Sequence, residues 1–346
     1  MELLSREFVK QDHLWNKDYF CKIKNTKEFQ RLKNISFLGA IDYSFDFNPL
    51  NNENRSRFSH CVSVGELALM LSNYRNYSED LKKHLVIAAL LHDIGHMPLS
   101  HSIERDVKER YGVDHHQIGF SILKGESPLG KDLFKILKNY VNVDVVIDLI
   151  NGDSTIEGSE FFSNAINIDT IDGITRAANY VNLNAHKLTA ENICLNAFCS
   201  DADYSQAYVD KFWDLKGQVY SEFILNEKGL LADHLSALYF RNNSDSFDEK
   251  NFFEDELIWQ DRYPELFHSL RCQDFSTEEN TFSVSYFSRA YTVDPSRTGN
   301  DRYLCSKKKD KKTFYPDKQR ISSCLKIFSI KFKNSSEVRS FALAPV

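Results

Sequence analysis

The stretch "LVIAALLHDIGHMPLSH" (85–101) ends an apolar run on three histidines and an aspartate, His92, Asp93, His96 and His101. A fourth imidazole, His60, stands in "RFSHCVSVGELALMLSNY" (57–74), and His115 and Asp169 follow in "HHQIG" and "IDTIDGITR". A single buried histidine is usually a hydrogen-bonded core residue. Here six of the eleven histidines fall between His60 and His115, and so many imidazoles buried without partners would be costly. His92 lies seven residues after Leu85 and four after Ala88, so it leans toward the buried stripe of its helix. Asp93 shares that direction only if the helix ends there, and "DIGH", with its glycine, ends it. Two imidazoles with two carboxylates form a mixed nitrogen–oxygen set suited to Mn²⁺, Fe²⁺ or Mg²⁺, with Zn²⁺ a weaker match. Such an ion lowers the pKa of bound water from ~15.7 toward ~7. Histidine titrates near neutrality, so the remaining imidazoles suit general acid–base work.

The elements that must position these groups read as helices. Val64, Leu67 and Leu71 follow His60 at helical spacing, with Ser59 as the expected cap. Leu81, Leu85, Ala88, Ala89 and His92 form a second stripe, closed by Gly95 and Pro98. Residues 132–150 read as helix, although their valines leave strand open, and "NGDSTIEGSE" (151–160) reads as loop. Ile168, Ile171, Ile174 and Ala178 define a helix over 164–181 that carries Asp169, Asp172 and Arg176. Asp172 and Arg176, four apart, favour a helix ion pair over a substrate contact. Further helix is expected over 207–240, then a polar, acidic break over 242–256. Beyond it, 281–293 and 324–333 alternate and read as strands, with a basic loop (297–320) between them. The organisation expected is a helical domain over 1–240 and a mixed α/β lobe over 241–346.

The 346 residues suffice for a large core; 42% are hydrophobic and 27% charged, an ordinary globular composition. The start lacks the basic and apolar regions of a secretory signal, and no apolar run reaches the ~18 residues of a membrane span. A soluble, cytoplasmic protein without membrane partners is the expectation. Seven cysteines, none spaced as CxxC, argue for reduced, mostly buried thiols rather than disulfides or a zinc ribbon. The net charge of −6 hides a basic segment, with 14 Lys or Arg against 5 Asp or Glu between Arg289 and Arg339. That imbalance suggests that anions are handled near this end.

The ordered series "FQRLKNISFLG", "RFSH", "HDIGHMPLSH", "HHQIG" and "IDTIDGITR" resembles the HD phosphohydrolase superfamily. More narrowly it is similar to the deoxynucleoside triphosphate triphosphohydrolases, over residues 29 to about 182. The resemblance implies a mainly α fold, a helical HD core with a small α+β C-terminal lobe. It implies His60, His92, Asp93 and Asp169 as metal ligands, and His96, His101, Glu104 and His115 as the catalytic acid–base cluster. Arg57 is implied at the phosphates, and Phe37, Leu38, Gly173 and Arg176 at the substrate. Several positions depart from the family pattern. Phe37 stands where a sugar-reading glutamine is usual, Thr170 for a lysine, Gly173 for a tyrosine and Ala177 for an aspartate. The hydrolytic parts are kept and the sugar-reading parts altered.

The activity implied is hydrolysis of a deoxynucleoside triphosphate to deoxynucleoside and tripolyphosphate, with water activated on a divalent metal. The resemblance also implies a homo-oligomer, an activating nucleotide between subunits, and nucleotide depletion as in antiviral defence. Two other readings stay open: a phosphodiesterase or nuclease using the same cage, and a nucleotide-sensing module of weak hydrolysis. A nucleic-acid partner has little support, because few aromatics interleave the lysines of the basic loop.

Overall fold

The computed structural model describes residues 13–45, 55–183, 188–199 and 206–272, and the backbone of four strands beyond them. The described chain is mainly helical, as expected. It groups into two compact units, each made of two stretches of sequence. The first is residues 1–163 with 235–271, and the second 164–234 with 272–346. The expected boundary at residue 240 falls in the stretch that returns to the first unit.

In the first unit, α1 (Asp18–Lys24) and α2 (Lys27–Arg31) lead to α3 (Arg57–Tyr74) and α4 (Glu79–Leu91). There follow α5 (His101–Tyr111), α6 (His115–Leu123), α7 (Lys131–Leu137) and α8 (Val143–Asn151). The valine-containing stretch is therefore helical, as two helices rather than one. Helix α4 is central: Leu85 through Leu91 are all fully buried, and α3 and α8 pack on it. An element apolar on every side is stable only inside a core, which explains the unbroken run "LVIAALL".

Caps define where these helices start. Ser56, not Ser59, caps α3: its hydroxyl accepts the Ser59 N–H, so the helix starts three residues earlier than expected and takes in Arg57. Ser78 caps α4, with Glu79 and Asp80 in the first turn. Asp114 and Gln117 form a capping box at α6, which fixes the helix start at His115.

The second unit contains α9 (Ile168–Tyr180), α10 (Ala190–Phe198) and α11 (Gln206–Gln218), which pack on one another. A π-helical segment, Val219–Ile224, interrupts the expected helix of 207–240 before α12 (Glu227–Asn242). The acidic break after α12 is not wholly solvent-facing, since Phe247 and Phe252 are buried in the first unit. There α13 (Glu256–Arg262) and α14 (Pro264–Cys272) follow.

Beyond residue 272, β1 (Val284–Val293), β2 (Tyr303–Phe314), β3 (Phe328–Phe332) and β4 (Val338–Phe341) form one sheet in the order β2-β1-β3-β4. β1 pairs antiparallel with β2 and parallel with β3, and β3 antiparallel with β4. The expected strands are present as β1 and β3. The basic loop is corrected: Tyr303–Phe314, lysines included, is a strand at the sheet edge. Lysine is tolerated there and discourages further strand pairing; the rest of 297–320 lies outside the described residues.

Of the five cysteines described, Cys61 and Cys194 are buried, Cys21 and Cys199 half-buried and Cys272 exposed. None forms a disulfide, although burial is less general than expected. Among the described residues, no helix is long and apolar enough to cross a membrane.

Candidate metal centre and acid–base cluster

His60 comes from the first turn of α3 and His92 caps the end of α4, where the chain turns and Asp93 follows. The Nδ1 of His92 lies 2.8 Å from the Ala89 carbonyl, the last turn of its own helix. That bond places the proton on Nδ1 and leaves the Nε2 lone pair facing inward. His92 Nε2 is 3.2 Å from His60 Nε2 and 3.4 Å from Asp93 Oδ1. His60 Nε2 is 3.6 Å from Asp93 Oδ2. Three donor atoms thus converge in a buried place and fit a divalent cation, the charge that two facing imidazole nitrogens beside a carboxylate call for.

A second group adjoins the first. His96 Nε2 lies 3.2 Å from Asp93 Oδ1, so this carboxylate touches both groups. The His96 ring stacks on His115 at 4.2 Å and meets His101 edge-on at 4.7 Å. Glu104 orients the outer pair. Its Oε2 is 2.9 Å from His101 Nδ1, and its Oε1 receives both the backbone N–H and ring Nδ1 of His115. Burial falls from inside outward: His96 is 1% exposed, whereas the His101 side chain is 59% exposed. His101 is therefore the member a solvent-borne molecule meets first. His116, beside His115, is exposed.

The charges are set by these neighbours. Burial alone would raise the Asp93 carboxyl, but His92, Arg57 and His96 hold it well below the usual range. Burial, with Arg57 nearby, pushes His96 well down and keeps it neutral. Burial would also raise Glu104, yet hydrogen bonds from His101 and His115 hold it far below an ordinary carboxylate. A depressed carboxylate contributes stability above its unfolded value of 4.5 and loses it as pH falls through the folded value. Glu104→Gln is therefore expected to flatten the loss of stability below pH 4.5, measured as denaturation midpoint against pH.

Other expected site residues fall as follows. Arg57 is buried, with Nη1 2.5 Å from Asp93 Oδ2 and its guanidinium 5.2 Å from the Phe37 ring. Phe37 also packs on the His60 ring at 4.8 Å, so it forms a wall of the metal group. Leu38 donates its N–H to Asp42 Oδ2 at 2.8 Å; burial pushes the Asp42 carboxyl up to about 7. Asp169, Gly173 and Arg176 belong to the second unit. There Asp169 is exposed in the first turn of α9, and Arg176 Nε pairs with Asp172 Oδ2 at 2.8 Å, the ion pair its spacing favoured. Both donor groups found among the described residues lie in the first unit.

Two supports escaped the sequence reading. Arg31, in "FQRL", is a buried guanidinium that donates at 2.8 Å to the carbonyls of both Ile94 and His96, clamping the turn after Asp93. Its neighbours Lys27, Glu28, Gln30 and Lys33 give no local sign of burial; its signal is its place in the segment "FQRLKNISFLG" that carries the family resemblance. Gly95 does more than end a helix: a Cβ there would lie 2.1 Å from the His115 carbonyl oxygen and 2.3 Å from the Gly119 nitrogen. Backbone cannot yield as a side-chain tip can. Gly95→Ala is expected to lower stability by ~1–3 kcal/mol and to displace α6, with His115, from His96. Thermal unfolding and activity of this variant check it.

Residues 57–204 match the family model for the HD domain. The chain is 29% identical to an uncharacterised protein of Mycoplasma genitalium, over 54% of this chain and 45% of that one. It is 30% identical to a deoxynucleoside triphosphate triphosphohydrolase SAMHD1 homolog of Dictyostelium discoideum, over 30% of this chain and 21% of that one. The chain thus spans less than half the length of these curated relatives. Its fold is similar to the crystal structure of a hypothetical protein from Aquifex aeolicus, with a TM-score of 0.61 and 14% identity. That match covers 79% of this chain and 82% of the other.

Proposed function

From the HD domain that residues 57–204 carry, we propose that this protein is a metal-dependent phosphohydrolase acting on nucleoside triphosphates. The reaction assigned is deoxynucleoside triphosphate plus water to deoxynucleoside plus tripolyphosphate. The observation that carries the reading is the joining, through Asp93, of a buried His60–His92–Asp93 donor set to a histidine cluster that reaches solvent. The triphosphohydrolase name of the Dictyostelium relative supports it.

His60, His92 and Asp93 would hold the ion, with Asp169 assigned as the fourth ligand by the family resemblance. When bound, a divalent ion such as Mn²⁺ or Mg²⁺ neutralises phosphate charge and acidifies water. The chain's own groups do the rest. Arg57 adds positive charge beside the donor set and is assigned to the phosphates by the family resemblance. His101, with its Nδ1 tied to Glu104 and its side chain 59% exposed, would give a proton to the departing 5′-oxygen. His96, kept neutral, and His115, fixed by Glu104, complete that wall. Phe37, packed beside His60, offers a sugar no side-chain hydrogen bond, so sugar selectivity is assigned to other residues. A cytoplasmic homo-oligomer with an activating nucleotide is part of the same proposal.

The test is a screen of the four deoxynucleoside triphosphates, singly and mixed, with Mn²⁺ or Mg²⁺, followed by chromatography. Nucleoside and tripolyphosphate are the expected products. Cleavage of an oligonucleotide or cyclic nucleotide with no triphosphate turnover would replace the reading with a phosphodiesterase. Binding detected by thermal shift, without product, would replace it with a sensor.

A further inference from the structure

The histidine cluster stands on a strained turn. Between His96 and His101 the backbone passes through Leu99 at φ 61° and Ser100 at φ 46°, ψ −124°. Residues with a Cβ avoid both conformations, at a cost of order 1–3 kcal/mol each, so the surroundings must hold them. What holds them comes from far along the chain. Glu256, the first residue of α13, is fully buried, and its Oε1 accepts the Leu99 N–H at 3.0 Å.

The same carboxylate also reaches the segment that carries Phe37 and Leu38. Oε1 accepts the Ser36 N–H at 3.1 Å and the Ser36 hydroxyl at 2.7 Å, and Oε2 accepts the Tyr43 hydroxyl. The two segments also touch directly, for the Ala40 N–H donates to Ser102 Oγ at 3.0 Å. Gly39, at φ 64°, has no room for a Cβ, which would lie 2.3 Å from the Leu99 carbonyl oxygen. A buried carboxylate with four donors is satisfied and rigid. None of its partners is a metal-ligand candidate or one of the clustered histidines.

We propose that Glu256 is a positioning residue, which pins the Leu99–Ser100 turn to the Ser36–Tyr43 segment and so sets His101 against His96 and the Phe37 wall. The proposal rests on the hydrolase reading for its effect on rate, but its geometry stands apart from that reading. Misplacing a catalytic group by about 1 Å costs ~10²-fold, and Glu256 controls a displacement of that order through reach alone.

Two variants of the full-length chain separate reach from charge. Glu256→Gln keeps the length and an oxygen for Ser36 and Leu99, and its amide faces the Tyr43 hydroxyl oxygen. Glu256→Asp keeps the charge but is one methylene short. The expected result is kcat within ~3-fold of the parent for E256Q and ~10²-fold lower for E256D, with Mn²⁺ affinity unchanged in both. The side-chain ¹⁵N shifts of His101 and His115 in metal-free protein should move in E256D and not in E256Q. Parent-like rate and shifts in E256D, or a loss in E256Q as large as in E256D, would overturn the proposal. If the parent itself releases no product, the hydrolase reading has failed and the ring shifts still decide the role of Glu256. Should E256D not fold, E256Q decides: parent-like shifts support the proposal and altered ones overturn it.

Discussion

Asp93→Asn is expected to lose at least ~10³-fold in turnover, equivalent to ~4 kcal/mol of transition-state stabilisation, together with metal binding. Asp93 is the carboxylate shared by the two groups, 3.4 Å from His92 and 3.2 Å from His96. Asparagine keeps the shape and one carbonyl oxygen but removes the anion that balances both the ion and Arg57. It also leaves the buried Arg57 guanidinium without its counter-charge. Breaking a buried pair from one side costs ~3–5 kcal/mol, so part of the loss would be stability. His92→Ala separates the two effects, because it removes a ligand and leaves the Arg57–Asp93 pair, 2.5 Å apart, intact. The same collapse of turnover is expected there, in a protein whose circular dichroism and unfolding midpoint stay near the parent's. Metal titration by calorimetry and product release measure both. Turnover within tenfold of the parent in both variants would remove Asp93 and His92 from the site.

His101→Ala is expected to lose ~10²–10⁴-fold in kcat, the range for a removed general acid, while metal affinity stays at the parent value. The side chain is 59% exposed, so the loss of stability should be limited to what its bond to Glu104 contributes. Glu104→Gln is expected to lose less, because it only loosens His101 and His115. The double variant should be no worse than His101→Ala by more than ~3-fold, since groups acting as one unit are not additive. Multiplicative losses would show that Glu104 acts independently of His101. A parent-like kcat in His101→Ala would assign proton delivery elsewhere. Single-turnover rates and metal titrations on the three proteins distinguish these outcomes.

The two groups were legible to different degrees. His92, Asp93, His96 and His101 sit within ten residues, and the end of an apolar helix is visible in the residue types alone. The same holds for helices α3, α4 and α9, whose stripes recur at helical spacing. Local rules failed where two candidates compete or where a tertiary edge matters. Ser59 and Ser56 are both acceptable caps, and the hydroxyl of Ser56 accepts the N–H of Ser59. The lysines of 307–312 signal a solvated loop until a sheet edge exists that can receive them. Gly95 resembles any helix-ending glycine until the backbone of α6 is laid against it.

Taken alone, the amino-acid order determined which groups carry lone pairs and protons, and which of them share a helix end. These follow from side-chain chemistry and from periodicities that act over a few residues. The folded chain decided which distant groups meet. His60 lies 32 residues from His92, Glu104 receives His115 from across a helix boundary, and Glu256 reaches back 220 residues to Ser36. Such contacts depend on how whole elements pack, where one methylene or one missing Cβ sets the distance, and no spacing rule along the chain encodes it.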